Sequence, residues 1–407
     1  MSALFNRRSA MGLTGGAAGL AYTFFGAHPA KAAKLADVDF EPRGTDGILE
    51  RLPSLDLESY DEFSTSTRVW INTKLNRAAE RRAVQILREK GINPREKVDF
   101  ETATDLLASD PVISFRNHSW QRLQMHMWTE LHREFKSNED AYLSEMEATD
   151  NAGPGVLELN PGIEPEYTKH EIHMQPGGYT GDAFAGHLYH YGTNNFYNGQ
   201  NYQDERHVSL ANAIPVPKDG KVLRILDAGS SCGQQVVALK KRFPDAEVWG
   251  VDIGAPMVRY SHMRASDLGV NVNFRHALAE ETGFPDGYFD IVTSYLLHHE
   301  VTEDATYKII RETERILRPG GIYFPVDVYT NPGYNNRIDG TAMRHIRDWM
   351  TYRWNHERWW YEYKQADFFG EMERAGLNLI EGGPKTEVSS QVSMNGGFSN
   401  IIGVKPA

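Results

Sequence analysis

Cysteine is all but absent from this 407-residue chain. Cys232 stands alone, so no intramolecular disulfide can form in any compartment and no thiol metal site suggests itself. Basic residues are also in deficit, with 43 Lys and Arg against 55 Asp and Glu and a net charge of -12. A surface that tracks phosphates needs clustered Lys and Arg, which argues against a general nucleic-acid binder. Long apolar runs are scarce as well. The stretch from Ala10 to Ala27 is too short and too rich in Gly to span a bilayer, which takes ~20 predominantly apolar residues. What the chain does have is 40% hydrophobic and 11% aromatic residues, enough to bury a large core in one big domain or two ordinary ones. Small-molecule chemistry is the expectation that remains.

The first residues are read as lying outside the fold. Asn6-Arg7-Arg8-Ser9 precedes the mild apolar stretch, and Ala30-Lys31-Ala32 offers small residues where a signal peptidase inspects the chain. Residues 1–32 thus resemble a twin-arginine export signal, the alternatives being a weak membrane anchor or a disordered tail. The resemblance implies a periplasmic or membrane-associated protein with the export machinery as a partner, or a cytoplasmic one if the signal is not used. No stable membrane span is expected in the mature chain.

Residues 33–212 read as a helical and loop-rich cap. After a polar lead-in from Lys34 to Tyr60, Leu75, Ala79, Ala83, Ile86 and Leu87 recur at helical spacing, and Gly91 with Pro94 closes the segment. Asp99 is placed to cap a short helix over 100–108. Trp120, Leu123, Met127, Trp128, Leu131 and Phe135 then form one core-facing stripe, on a helix where His126 and His132 read as structural. From Gly153 to Asn212 the composition shifts to Gly, Pro, Asn, Tyr and His with little periodicity, which predicts a long functional loop system. His170, His173, His187 and His190 fall there, but none forms an unambiguous ligand pair, so the expectation is an aromatic and imidazole lining and no metal. His190 to Tyr197 loosely resembles a segment of cyclopropane fatty acid synthases, agreeing at an Asn and at Phe196-Tyr197 but not at its Asp and Gly.

Residues 213–407 begin after Pro215, Pro217 and Lys218-Asp219-Gly220, and there the pattern becomes strand, helix, strand. Val222 to Leu226 is a first strand, Gln234 to Phe243 a helix, and Glu247 to Asp252 a second strand ending in an acid. Between them Asp227-Ala228-Gly229-Ser230-Ser231-Cys232-Gly233 is a loop of small residues whose bare backbone lets a ligand lie against it. Asp252 lies about 20 residues beyond the loop, where a carboxylate reaches a ribose diol. A nicotinamide-binding fold shares that spacing, but the G-x-G-x-x-G order is missing, which favours another adenosine ligand.

The loop resembles the Asp-x-Gly-x-Gly-x-Gly motif of class I S-adenosylmethionine-dependent methyltransferases, with Ser231 in place of the middle glycine. Further motifs follow in that family's order. They are Asp252, the segment Gly283 to Val292, Leu296-Leu297-His298-His299-Glu300 as in the ubiquinone and menaquinone biosynthesis type, and Leu317-Arg318-Pro319-Gly320-Gly321 before a fifth strand. The resemblance covers about Val222 to Val328. It implies an α/β fold, a doubly wound, Rossmann-like, mostly parallel sheet with the helical cap before it and a helical, aromatic-rich insertion at about 330–365 as a substrate lid. It implies S-adenosyl-L-methionine as cofactor, held by Asp227, Gly229, Ser231 and Gly233, by Asp252 and Ile253 at the ribose, and by Leu278 and Ala279 at the adenine. Leu278 stands where the family often has an acid. A small apolar or aromatic acceptor, methylated at oxygen or carbon, is expected, with His298, His299 or His190 as the base. A scaffold that binds the cofactor without turnover, and a lipid-modifying transferase, remain open alternatives.

Overall fold

The computed structural model describes residues 55–327, 342–381 and 401–407. The signal-like segment, most of the polar lead-in and the first part of the insertion lie outside the described residues. Helix α1 (Leu55–Trp70) runs through a π-helical turn, Ile71–Leu75, into α2 (Asn76–Glu89). Gly91 at φ +70° ends it, with Gly91 N–H donating to Arg88 O and Ile92 N–H to Leu87 O, the paired bonds of a Schellman closure. Asp99 caps α3 (Phe100–Leu107) by accepting from Thr102 N, and Asp110 with Pro111 starts α4 (Pro111–Ser137). The Leu123 to Phe135 stripe of α4 is buried as its spacing predicts, and α5 (Glu139–Thr149) follows. Among the described residues no helix is long and apolar enough to cross a membrane.

The stretch expected to be loops is partly helical. After a short strand β1 (Leu157–Glu158), it contains α6 (Ala185–Phe196) and α7 (Glu205–Ala213). Gly, His, Asn and Thr are poor helix formers, so local propensity hid α6. Tertiary packing overrides it, because ten of the twelve residues of α6 are buried. Its glycines mark the squeeze: a Cβ at Gly192 would lie 2.0 Å from the Trp128 ring of α4, and one at Gly186 would lie 2.3 Å from Tyr260.

The sheet that follows alternates with helices: β2 (Arg224–Ala228), α8 (Gln234–Arg242), β3 (Glu247–Asp252), α9 (Ala255–Asp267), β4 (Asn273–His276), β5 (Phe289–Tyr295), α10 (Glu303–Ile316) and β6 (Leu317–Val326). Next come α11 (Ala342–Arg353), α12 (Trp360–Gln365), α13 (Phe368–Arg374), β7 (Asn378–Glu381) and β8 (Ile401–Val404). The strand order is β1-β4-β3-β2-β5-β6-β8-β7, parallel from β1 through β6, with β8 antiparallel to both β6 and β7. Neighbouring residues on one strand supply opposite faces: Ile225 and Ile291 join the core on one side, Leu226 and Val292 the core on the other. This is the doubly wound arrangement expected from the alternation of strands and helices. The Leu317 to Gly321 turn appears as an irregular start to β6, where the pairing with β5 slips between Leu317 and Ile322. Helix α11 packs with α2, α3 and α4 through Met343, Ile346 and Met350, so the part of the insertion that is described closes against the N-terminal cap.

Candidate active site

The carboxyl ends of β2 and β3 open on one cleft, where ligands of doubly wound sheets sit. The β2 chain turns sharply at Gly229 (φ +71°), and Gly229 N–H and Ser230 N–H both donate to Val251 O, pinning the loop against β3. Ser231 takes a left-handed φ of +45°, the conformation for which a glycine would be the easier residue. Asp252 sits at the loop's edge, one carboxylate oxygen accepting from Ser231 N at 2.9 Å and the other from Gly254 N at 2.8 Å. Burial pushes its pKa up to about 6 against those two backbone donors. Beneath it Asp227 is buried with Oδ1 unpartnered, and burial together with the Asp252 charge drives its pKa well above the usual carboxylate range. Cys232 faces away into the core, where burial raises its thiol to about 12 and leaves it unreactive.

The empty space of the cleft, its open mouth included, is about 830 Å³. Gly229, Ser231, Asp252, Ile253, Met257, Ala279 and Glu280 line one side. Tyr167, His170, Ile172, Tyr179, Tyr189, Tyr295, Leu296, Leu297 and Glu300 are among those that line the other. The bare backbone is needed where the walls meet, since a Cβ on Gly229 would come within 2.8 Å of Leu297. Tyr167 donates its hydroxyl to Glu280, whose carboxyl is pushed up by burial, and the pair narrows the cleft beside Ala279. An adenosine-bearing ligand finds here a diol acceptor in Asp252, a glycine cradle and an apolar slot, so the residues present fit S-adenosylmethionine.

Other residues singled out from the sequence fall outside the cleft lining. Gly233 is the cap of α8 at φ +76°, and a Cβ there would meet Phe274 and Ser261 at 2.9 Å, so it shapes the turn from behind. Leu278 is bridged to Glu281 and leaves the wall to Ala279. His190 and His298, two of the three expected bases, are not among the residues that line the cleft. His190 lies buried in α6 with Nδ1 2.8 Å from the Tyr260 hydroxyl. His298 lies beneath the sheet end, Nε2 2.7 Å from the Tyr323 hydroxyl and its ring against Phe368, and burial lowers its pKa to about 4. The His190 to Tyr197 segment is the C-terminal part of α6 with its cap residue, Tyr197.

His299 does not line the cleft either, but it touches Glu300, which does. Its Nδ1 lies 2.6 Å from Asp327 Oδ1 at the end of β6, and its Nε2 lies 3.3 Å from Glu300 Oε1. Burial opposes its protonation, yet the Asp327 and Glu300 carboxylates outweigh burial and hold its pKa well above 6.5. From the other side His173 Nε2 approaches the same Glu300 oxygen at 2.7 Å, and the Tyr179 hydroxyl stands 3.4 Å from it. His173 comes from the cap in a left-handed conformation, φ +54°, its carbonyl accepting from Gln124 Nε2 and Trp128 Nε1. Gln124 is itself held by Arg68, a fully buried guanidinium that also bonds Asn195. His173 stood in the sequence among four loop histidines, and Asp327 passed unremarked. The available signal for Asp327 was the one that marked Asp227 and Asp252, a buried strand ending in an acid.

Residues 225–321 match the methyltransferase domain family. That span holds Asp227 on β2, Asp252 on β3 and the turn after β5 that carries His299 and Glu300, while His173, Asp327 and α11 to α13 stand outside it. Over 99 residues the chain is 39% identical to demethylmenaquinone methyltransferase of Thermus thermophilus, covering 24% of this chain and 44% of that relative. It is 28% identical over 161 residues to the ubiquinone biosynthesis O-methyltransferase of a Ruegeria species, covering 39% of this chain and 62% of the relative. It is 29% identical over 176 residues to the ubiquinone/menaquinone biosynthesis C-methyltransferase of Cupriavidus metallidurans, covering 39% and 68%. The chain thus spans less than two thirds of the first two relatives, and the similarity belongs to its methyltransferase domain.

Proposed function

We propose that this protein is an S-adenosylmethionine-dependent methyltransferase acting on a small apolar or aromatic acceptor, at oxygen or carbon. Asp252 carries the reading: a carboxylate at the end of β3, on the cleft wall, beside a loop turned by Gly229 and inside the matched methyltransferase domain. Relatives named for ubiquinone and menaquinone biosynthesis favour a quinone-like ring as the acceptor.

The cofactor supplies a methyl group already activated on a sulfonium. Asp252 and Ile253 would hold the ribose, Ala279 and Glu280 the adenine edge, and the Gly229 to Ser231 backbone the amino-acid end. Tyr179, Tyr189 and Ile172 wall the acceptor side and exclude water, so the chain's main task is alignment. An acceptor hydroxyl or acidic carbon must also lose a proton. Glu300 lines the cleft between His173 and His299, and His299 is oriented by Asp327, so this cluster takes the base role in the form that has lost the His299 proton, which its raised pKa places at higher pH.

Incubation of the full chain with methyl-deuterated cofactor and cell extracts, followed by mass spectrometry, tests the reading. A product carrying the label, lost in Asp252→Ala, is expected. Failure to label anything across quinone-rich extracts would overturn it.

From Arg7-Arg8 and Ala30-Lys31-Ala32 we also infer twin-arginine export to the periplasm or membrane. Fractionation of a tagged chain tests this against Arg7→Lys/Arg8→Lys; identical cytoplasmic recovery of both would remove the inference.

A further inference from the structure

His173 and His299 reach Glu300 from different parts of the chain, one from the segment before α6 and one from the turn after β5. Their Nε2 atoms lie 2.7 and 3.3 Å from the same oxygen, Oε1. One donor atom from each of the three residues lies within 4.8 Å of the others. Separations of about 3 Å are those of two donors that share a cation at ~2.1 Å from each.

The outer nitrogen of His299 is backed as that of a metal-bound imidazole is. Asp327 Oδ1 stands 2.6 Å from His299 Nδ1, which directs Nε2 toward Glu300. At His173 the acceptor for an outer N–H is Glu357 Oε1, 3.5 Å from Nδ1, while Asn355 Nδ2, 2.8 Å away, is a donor that a metal-bound ring would have to displace. Glu300 Oε1 meets His173, His299 and Tyr179, while Oε2 is buried and accepts nothing among the described residues. Three carboxylates, Glu300, Asp327 and Glu357, surround two imidazoles, so a dication that displaces the two ring protons leaves the local charge unchanged.

We propose that His173, His299 and Glu300 bind a divalent transition cation, in the two-imidazole, one-carboxylate manner taken by zinc and ferrous iron. Glu300 and Tyr179 line the cleft, so the cation lies at its wall with open positions for a ligand oxygen. There it would bind an acceptor hydroxyl or carbonyl and lower the pKa of the proton to be lost, a task the bare cluster otherwise performs as a base. Only this use rests on the methyl-transfer reading; the binding does not.

Equilibrium dialysis of the full chain against Zn²⁺ and Co²⁺, with metal analysis and Co²⁺ absorption spectra, tests the site. About one equivalent is expected, with visible ligand-field bands, weakened at least tenfold in His173→Ala and in Glu300→Gln. The milder Glu300→Gln keeps the side-chain volume, and circular dichroism of both variants reports whether the fold persists. No stoichiometric binding by the wild type, or equal binding by folded Glu300→Gln, overturns the proposal. Titration of the same samples with S-adenosylhomocysteine separates the two readings: binding of that ligand without metal removes the cation site alone, and metal without that ligand removes the methyltransferase reading alone.

Discussion

Asp327 grips His299 twice, with Oδ1 2.6 Å from the ring Nδ1 and Oδ2 accepting from the His299 main-chain N at 3.4 Å. The same Oδ2 accepts from His298 N at 2.7 Å, so one carboxylate fixes the turn and aims one imidazole. Asp327→Asn keeps the shape and removes the charge. Methyl transfer to the acceptor found in extract labelling is expected to fall about 100-fold or more, within the usual range for a misdirected base. Cofactor binding should stay within about twofold, and a variant as active as the wild type would take Asp327 out of the mechanism.

The two adjacent histidines divide their work. His298→Gln removes the partner of the Tyr323 hydroxyl in a buried place, at a cost of about 1–3 kcal/mol in urea unfolding, with turnover little changed. His299→Gln should do the reverse, lowering turnover at least tenfold. Equal losses of turnover in both variants would refute this division.

At Gly229 an alanine must adopt φ +71° and push Leu297 aside. The expected result is about 1–2 kcal/mol of lost stability and at least tenfold weaker binding of S-adenosylhomocysteine. Calorimetry and thermal unfolding read the two effects, and unaltered affinity would show that the loop does not cradle the ligand.

Acid should destabilise the fold through histidines buried in their neutral form. Burial lowers His187 to about 3, and burial with Arg264 and Arg206 lowers His207 to about 3. Unfolded histidine titrates near ~6.5, so between pH 6.5 and 3 the unfolded chain binds protons that the native chain refuses, and stability falls as pH falls. From pH 7.5 to pH 5 the loss is roughly 2 kcal/mol for each ring. His187 sits among Phe135, Phe184 and Tyr260 with Nδ1 unpartnered, so His187→Leu should flatten the dependence by that amount. Urea midpoints at the two pH values measure it, and an unaltered slope in His187→Leu would contradict the assignment.

The centre of the sheet was legible because β2 and β3 are apolar runs with an acid at or next to the last residue: Glu247 to Asp252 reads from the sequence as it stands in the fold. Helix α6 was not legible, since its Gly, His and Asn content is helical only once Trp128 and Tyr260 close over it. The cofactor side of the cleft could be read from Gly229, Ser231 and Asp252, which are close in sequence and joined by one turn. The acceptor side could not. His173 meets Glu300 across 127 residues of chain, and nothing local in either segment encodes that meeting. Neighbouring His298 and His299 show the limit most sharply, because the 3-10 turn at 298–300 sends one ring under the sheet and the other toward Glu300.

The most direct measurement is calorimetric titration of the full chain with S-adenosylhomocysteine, for the wild type and Asp252→Ala. One-to-one binding is expected in the wild type. Loss of hydrogen bonds to a charged acceptor, worth about 1.5–3 kcal/mol, should weaken it by roughly 10- to 150-fold in the variant. A wild type that binds nothing at millimolar ligand, or an Asp252→Ala variant that binds as tightly as the wild type, would contradict the assignment of this cleft.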